Sequence, residues 1–154
     1  MPMTRVASED GIVLVEAPNG SDLHAQALRL REAILRRPLG LALTEEEIAD
    51  DAGRRHFCAM ADGAVIGSLS LKPLGPHTLQ LRQMAVAGDR QREGIGARLL
   101  AYAEDWARRS GYGVIILNAR IGADGFYSRL GYRCEGETFD ENTIPHIRMT
   151  KRLG

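Results

Sequence analysis

The stretch Gln91-Arg92-Glu93-Gly94-Ile95-Gly96 has the spacing Q-x-x-G-x-G. It stands between an apolar-alternating run that ends at Val86 and an amphipathic run that continues through Ala97 and Leu99. Glycines at such a junction let main-chain N–H groups approach an anion with no Cβ atoms in the way. A helix beginning there adds N–H donors without intrahelical partners and the positive end of its dipole. The chemistry this implies is the holding of a phosphate.

Two common phosphate loops do not fit. A G-x-x-x-x-G-K-[ST] nucleotide loop needs a Gly-Lys pair, and none occurs. A G-x-G-x-x-G dinucleotide fingerprint needs a third glycine at position 99, which is Leu99. The strand before the glycines also follows hairpin-like segments instead of opening a βαβ unit.

The elements that must position this loop can be read in chain order. Residues 3–7 and 12–16 flank the Asp10-Gly11 turn signal and suggest a small hairpin. Ser21 or Asp22 can cap a helix with apolar positions Leu23, Ala27, Leu30 and Ile34, stopped by Pro38 and Gly40. The apolar loop 39–43 either covers the core or walls a ligand cleft. Thr44-x-x-Glu47 is a capping-box pattern that opens a second short helix through about Asp50. Strands are expected over 56–60, 65–71 and 79–86, then a helix with Ile95, Leu99, Tyr102, Ala103 and Trp106 on one face, ended by Gly111. Val114 to Leu117 reads as a strand covered on both faces. A short helix over 122–130 precedes closing strands at 132–135 and 144–149, joined by a polar segment 136–143. The order is β-αα-βββ-α-β-α-ββ, a mixed α/β (α+β) layer fold in a single domain, residues 1–154.

Several segments together resemble the GNAT family of N-acetyltransferases. They are the strand Met84-Ala85-Val86, the Gln91–Gly96 loop with its helix, Leu117-Asn118-Ala119-Arg120, and Phe126-Tyr127-Ser-Arg-Leu-Gly131-Tyr132, which fits the family's F-Y-x-x-x-G-[FY] helix. The closing Ile144-Pro-His-Ile-Arg-Met149 and the helix around Leu30–Arg36 are similar to the ElaA/YjcF-like bacterial subgroup. The resemblance covers nearly the whole chain. It implies a mostly antiparallel central sheet with helices on both faces and a reaction that uses acetyl-coenzyme A (acetyl-CoA).

The resemblance also implies roles. The main chain of Gln91, Arg92, Glu93, Gly94, Ile95, Gly96 and Ala97 would hold the pyrophosphate. The pantetheine arm would pair with Met84 and Val86 where a bulge splays the strand. A backbone N–H near Val86 would face the thioester oxygen. Arg92 either contacts phosphate or is a solvated arginine. Tyr127 matches the family's general acid; the competing reading is a core aromatic with its hydroxyl tied to backbone. Asn118 either bridges to cofactor amides or caps the next helix. His146 has the titration range for a base or acceptor contact, or is a structural histidine, and His56 poses the same choice.

Composition limits the partners. Lys+Arg and Asp+Glu are each 20, so the formal charge is zero and gives no reason to expect nucleic acid or an anionic membrane. No apolar run is long enough to span a membrane. Cys58 and Cys134 suit free thiols in a reduced, cytoplasmic setting, with burial the expectation for Cys134 unless it lies near the cofactor sulfur. No metal is expected, because the histidines and cysteines share no ligand spacing. Glu47, Asp50 and Asp51 read as a cap and a solvated face, and His24 and His77 have no neighbours that suggest a role. The expected acceptor is an amine of a small molecule or peptide. A sensor that binds without turnover and an interaction module using the fold alone remain open, and homodimerisation, common in the family, is not established by the sequence.

Overall fold

A computed structural model describes residues 6–7, 10–91 and 93–154. Arg92 and residues 3–5 of the expected hairpin lie outside the described residues. The strands are β1 (Val6–Ala7), β2 (Val13–Glu16), β3 (Arg55–Ala61), β4 (Ala64–Pro73), β5 (Thr78–Val86), β6 (Val114–Arg120), β7 (Arg133–Glu141) and β8 (Ile144–Arg152). They form one eight-stranded sheet in the order β1-β2-β3-β4-β5-β6-β8-β7. Every neighbouring pair is antiparallel except β5 with β6.

Helices cover both faces. The helix α3 (Ile95–Arg109) lays Ile95, Leu99, Ala103 and Trp106 on a core that includes Phe57, Leu71, Leu79 and Ile115. Each such fully buried large side chain contributes about 2 kcal/mol by removal of apolar surface from water. Gly111 follows the helix at φ 90°, a left-handed stop that glycine takes without a Cβ penalty. The short α4 (Asp124–Arg129) carries Tyr127 to the same side. On the opposite face, Ala27 of α1 (Asp22–Arg31) packs with Ala17 and Cys58. The capping box of Thr44 and Glu47 opens α2 (Glu45–Asp50) as expected.

Three expectations need correction. The buried face of α1 is His24, Ala27 and Arg31, while Leu23, Leu30 and Ile34 are half-buried. A polar network described below replaces the apolar stripe, and the helix ends in a π turn over Glu32–Arg36. Second, the 136–143 segment is strand, not linker: β7 continues to Glu141 and turns tightly at Asn142 and Thr143, both with positive φ. Bulging opposite β8 between Glu135 and Phe139 hides its pairing in the sequence pattern. Third, β6 is fully covered on one face only, with Ile115, Leu117 and Ala119 buried and Ile116 and Asn118 half-buried, because the other face borders a cavity. No helix among the described residues is long and apolar enough to cross a membrane.

Candidate active site

The parallel strands β5 and β6 pair only between Thr78–Gln80 and Val114–Ile116. Beyond that, β5 keeps its bonds to β4 but pairs with no strand on its other edge among the described residues. The cause is a bulge: β4 advances from Ser68 to Ser70 while β5 spans Ala85 back to Arg82, and Gln83 takes φ 61°. Left-handed backbone is unfavourable at a side chain of this size, so something must hold it. The Gln83 side-chain amide oxygen, Oε1, accepts from Arg54 Nη1 at 2.8 Å and from Ser70 Oγ at 2.9 Å. Arg54 in turn is bonded to Asp50.

The parted strands open a cavity of about 310 Å³. Met84, Asn118, Tyr127 and His146 all line it, so four residues scattered over the chain meet there. Leu35 and Leu39, from the end of the first helical stretch, form its roof. The apolar loop that begins at Leu39 therefore contributes to a cleft wall at that residue, whereas Leu41 is exposed.

Farther along β5, the glycine loop meets α3. Gly94 is the N-cap at φ 77°, a conformation suited to glycine, and offers no capping side chain. The first helical bond runs from the Arg98 N–H to the Gly94 carbonyl at 3.1 Å, so the N–H groups of Ile95, Gly96 and Ala97 precede it without an intrahelical acceptor. At Gly96 the reason for glycine is different: a Cβ there would stand 3.2 Å from Phe126 Cζ. The Gln91 side chain donates to the Val86 carbonyl at 3.0 Å, tying the loop back to the strand end. Exposed Glu93 faces Arg90 at 3.5 Å, which leaves its main chain as its contribution to the loop. Ala85 is buried and paired with Ser68.

Tyr127 is 9% exposed, and its hydroxyl has no hydrogen-bond partner among the described residues. The expected alternative, a hydroxyl tied to backbone, is not what occurs. Burial pushes the phenol up to about 12, so it is protonated throughout the neutral range. Asn118 does not cap α4, whose N-cap Ala123 has no side-chain bond; its amide borders the cavity. His146 donates from Nδ1 to the Ile144 carbonyl at 2.7 Å, since a carbonyl can only accept. In the neutral ring this leaves the lone pair on Nε2, which stands 3.4 Å from Glu141 Oε2. Phe139 stacks on the ring, with centroids 6.1 Å apart. Glu141 belongs to the segment read as a linker; the only sequence signal for the pair is the short distance across Asn142-Thr143.

Other residues lie elsewhere. His56 is buried away from the cavity, with Nε2 at 2.9 Å from the Asp51 carbonyl oxygen, and burial lowers its pKa. Asp51, expected on a solvated face, is fully buried, and His24, expected to lack meaningful neighbours, is bound to it. Asp51 takes hydrogen bonds from His24 Nε2 at 2.7 Å and Arg31 at 3.0 Å. Burial alone would raise the Asp51 carboxyl, but the Arg31 and His24 bonds and the Arg31 charge outweigh it and hold it below the usual range. His24, Asp51 and His56 do stand within ligand distance of one another, contrary to the reading of spacing alone. His24 and Asp51 are already engaged with each other, since His24 Nδ1 accepts from the Gly20 N–H at 3.0 Å and must carry its proton on Nε2, whereas His56 Nδ1 is buried with no hydrogen-bond partner among the described residues. Cys58 is buried, its thiol pushed up to about 12 by desolvation. Cys134 is exposed on β7 and does not line the cavity, so the expected burial does not hold for it.

Comparison with known proteins agrees with this geometry. The family model described as an acetyltransferase (GNAT) domain matches residues 29–153. The uncharacterised N-acetyltransferase YitI of Bacillus subtilis (strain 168) is 32% identical over 108 residues, 66% of this chain and 72% of that protein. A GNAT family acetyltransferase from Elizabethkingia anophelis, solved with acetyl-CoA bound, superposes with TM-score 0.72 at 22% identity, over 94% of this chain and 99% of that one. Escherichia coli ElaA superposes with TM-score 0.77 at 17% identity, over 91% and 99%; at that identity it shares the fold, and the subgroup is not established. With the family model spanning most of the chain, the protein belongs to the GNAT acetyltransferase family and is a GNAT-type acetyltransferase.

Proposed function

We propose that the protein transfers an acetyl group from acetyl-CoA directly to an amine of a small molecule or peptide. One observation carries the reading: β5 and β6 part beside a buried tyrosine whose hydroxyl has no partner among the described residues. The chain fits acetyl-CoA in three respects. Unpaired N–H groups at the start of α3, with Gln91–Ala97 around them, suit a pyrophosphate. The edge of β5 at Met84 and Val86, which no strand covers among the described residues, suits a chain of amides pairing as a strand would once the Gln91 side chain yields the Val86 carbonyl. Asn118 offers a further amide across the slot. Acetyl-CoA supplies the activated acyl group as a thioester.

His146 Nε2 takes the proton of the attacking amine, and the Glu141 carboxylate beside it stabilises the resulting imidazolium. A new C–N bond forms as the C–S bond breaks, and Tyr127 delivers its proton to the departing sulfur. A backbone N–H near Val86 would stabilise negative charge on the acyl oxygen. No metal enters this account.

The test is a thermal-shift titration with acetyl-CoA followed by an amine screen that reads released coenzyme A. Binding with transfer is expected. Binding with no transfer to any amine would favour a sensor, and absence of binding would leave an interaction module.

A further inference from the structure

The strand register sorts the cavity residues by face. Gln80 is aligned with Ile116 across β5 and β6, and Arg120 with His146 across β6 and β8. Leu79, Leu81, Ile115, Leu117 and Ala119 alternate with them and are buried beneath α3. Arg82, Asn118, Arg120 and His146 therefore share the α1 face of the sheet, and all four line the cavity.

Arg82 and Arg120 have no carboxylate partner among the described residues. The nearby acids are engaged or directed elsewhere. Glu47 is bound to Arg36 at 2.6 Å, Asp50 to Arg54, and Glu141 faces His146; exposed Glu46 forms no ion pair with Arg82. Two guanidiniums thus line one cavity, one of them half-buried, with no carboxylate paired to either among the described residues. Beside Arg120, which the register of β6 and β8 sets against His146, the imidazole faces the Glu141 carboxylate, so both signs of charge adjoin on this floor. Such a floor is bipolar. Arginine forks suit the planar, two-oxygen geometry of a carboxylate.

We propose that the acceptor is an amine that also carries a carboxylate, bound with the carboxylate at Arg82 and Arg120 and the amine at His146 and Glu141. This rests on the acetyl-CoA reading above and narrows its acceptor class. Leu35 and Leu39 overhead would cover the apolar part of the molecule.

The test uses the full chain with acetyl-CoA and, as probes, the standard amino acids against their α-amides, with phosphoethanolamine and ethanolamine as a second pair. At least one amino acid should be acetylated with kcat/KM about tenfold or more above its amide, the scale of one charged hydrogen-bonded contact. Arg82→Gln and Arg120→Gln should each raise KM for that acid about tenfold and flatten the acid-to-amide ratio, while KM for acetyl-CoA stays unchanged and confirms a folded enzyme. The proposal is overturned if no acid surpasses its amide, if the ratio survives in both variants, or if phosphoethanolamine surpasses every amino acid. Absence of an acetyl-CoA thermal shift would instead sink the cofactor reading. With that shift present, a flat ratio or no transfer to any acid sinks the acceptor proposal alone.

Discussion

Phe126 Cζ stands 3.2 Å from the point where a side chain on Gly96 would begin. The first turn of α3 and the helix carrying the candidate acid are thus in direct contact, and the Phe126 and Tyr127 rings meet edge-on with centroids 5.0 Å apart. A Cβ at 96 must push Phe126, and Tyr127 follows it in the chain. Gly94 has open space around its Cβ position and is constrained only by its φ of 77°. The two glycines should therefore fail differently. Gly94→Ala should cost about 1 kcal/mol of stability for left-handed backbone and weaken acetyl-CoA binding, with kcat at saturation little changed. Gly96→Val should weaken binding and lower kcat together. Calorimetric Kd and saturating kcat separate the two, and identical profiles would remove Phe126 as the link.

Tyr127→Phe removes one oxygen from a site where it has no hydrogen-bond partner among the described residues, so the loss should be chemical and not structural. We expect kcat to fall about 10²-fold, at the low end for general acid catalysis, with Kd for acetyl-CoA within about twofold. Because burial raises this phenol to about 12, the stability tied to its neutral form is complete below pH 10 and lost as pH rises from 10 towards 12. The wild type should lose more stability over that range than Tyr127→Phe. An unchanged kcat would end the acid role.

What the sequence made legible was local. Glycine spacing, the Thr44–Glu47 box and the α3 face are short-range patterns, and the structure follows them. The cavity floor was less legible, because it depends on register between strands distant in the chain. Arg82 and Arg120 look like ordinary outward positions until β5 parts from β6. Glu141 was hidden because β7 bulges and so breaks the two-residue alternation that marks a strand. Asp51 misled for a different reason: an acid at a helix end is usually solvated, and only the convergence of His24, Arg31 and Arg54 makes its burial tolerable.

That convergence predicts an acid-sensitive fold. Asp51 is held ionised, so its contribution is present above the usual carboxylate pKa near 3.8 and is lost as pH falls through its depressed folded value. His56 is held neutral by burial, so its contribution is present above 6.5 and declines as pH falls from there. Asp51→Asn should cost about 3 kcal/mol, the scale for breaking a buried pair. The mutant should lose the dependence below about pH 4 while keeping the decline that begins as pH falls from 6.5. Melting temperature against pH measures both windows, and a mutant curve parallel to wild type throughout would show that Asp51 does not carry the acid limb.

The same polar network reaches the slot through Arg54, which bonds Gln83 at the bulge that parts the strands. Gln83 holds φ 61° against its own side chain's preference. Substitution then separates backbone from side-chain effects. Gln83→Ala removes the acceptor for Arg54 and Ser70 and keeps a Cβ in left-handed backbone, so it should lose about 1–2 kcal/mol. Gln83→Gly loses the same bonds but relieves the backbone, and should be no less stable than Ala despite glycine's usual penalty within a strand. Both should raise KM for acetyl-CoA, since an untethered bulge lets β5 drift towards β6 and narrows the edge that Met84 offers. Chemical denaturation gives the stability order and initial rates give KM. If both variants keep the wild-type KM, the bulge holds its shape without Gln83, and the backbone of β4 and β5 alone keeps the slot open.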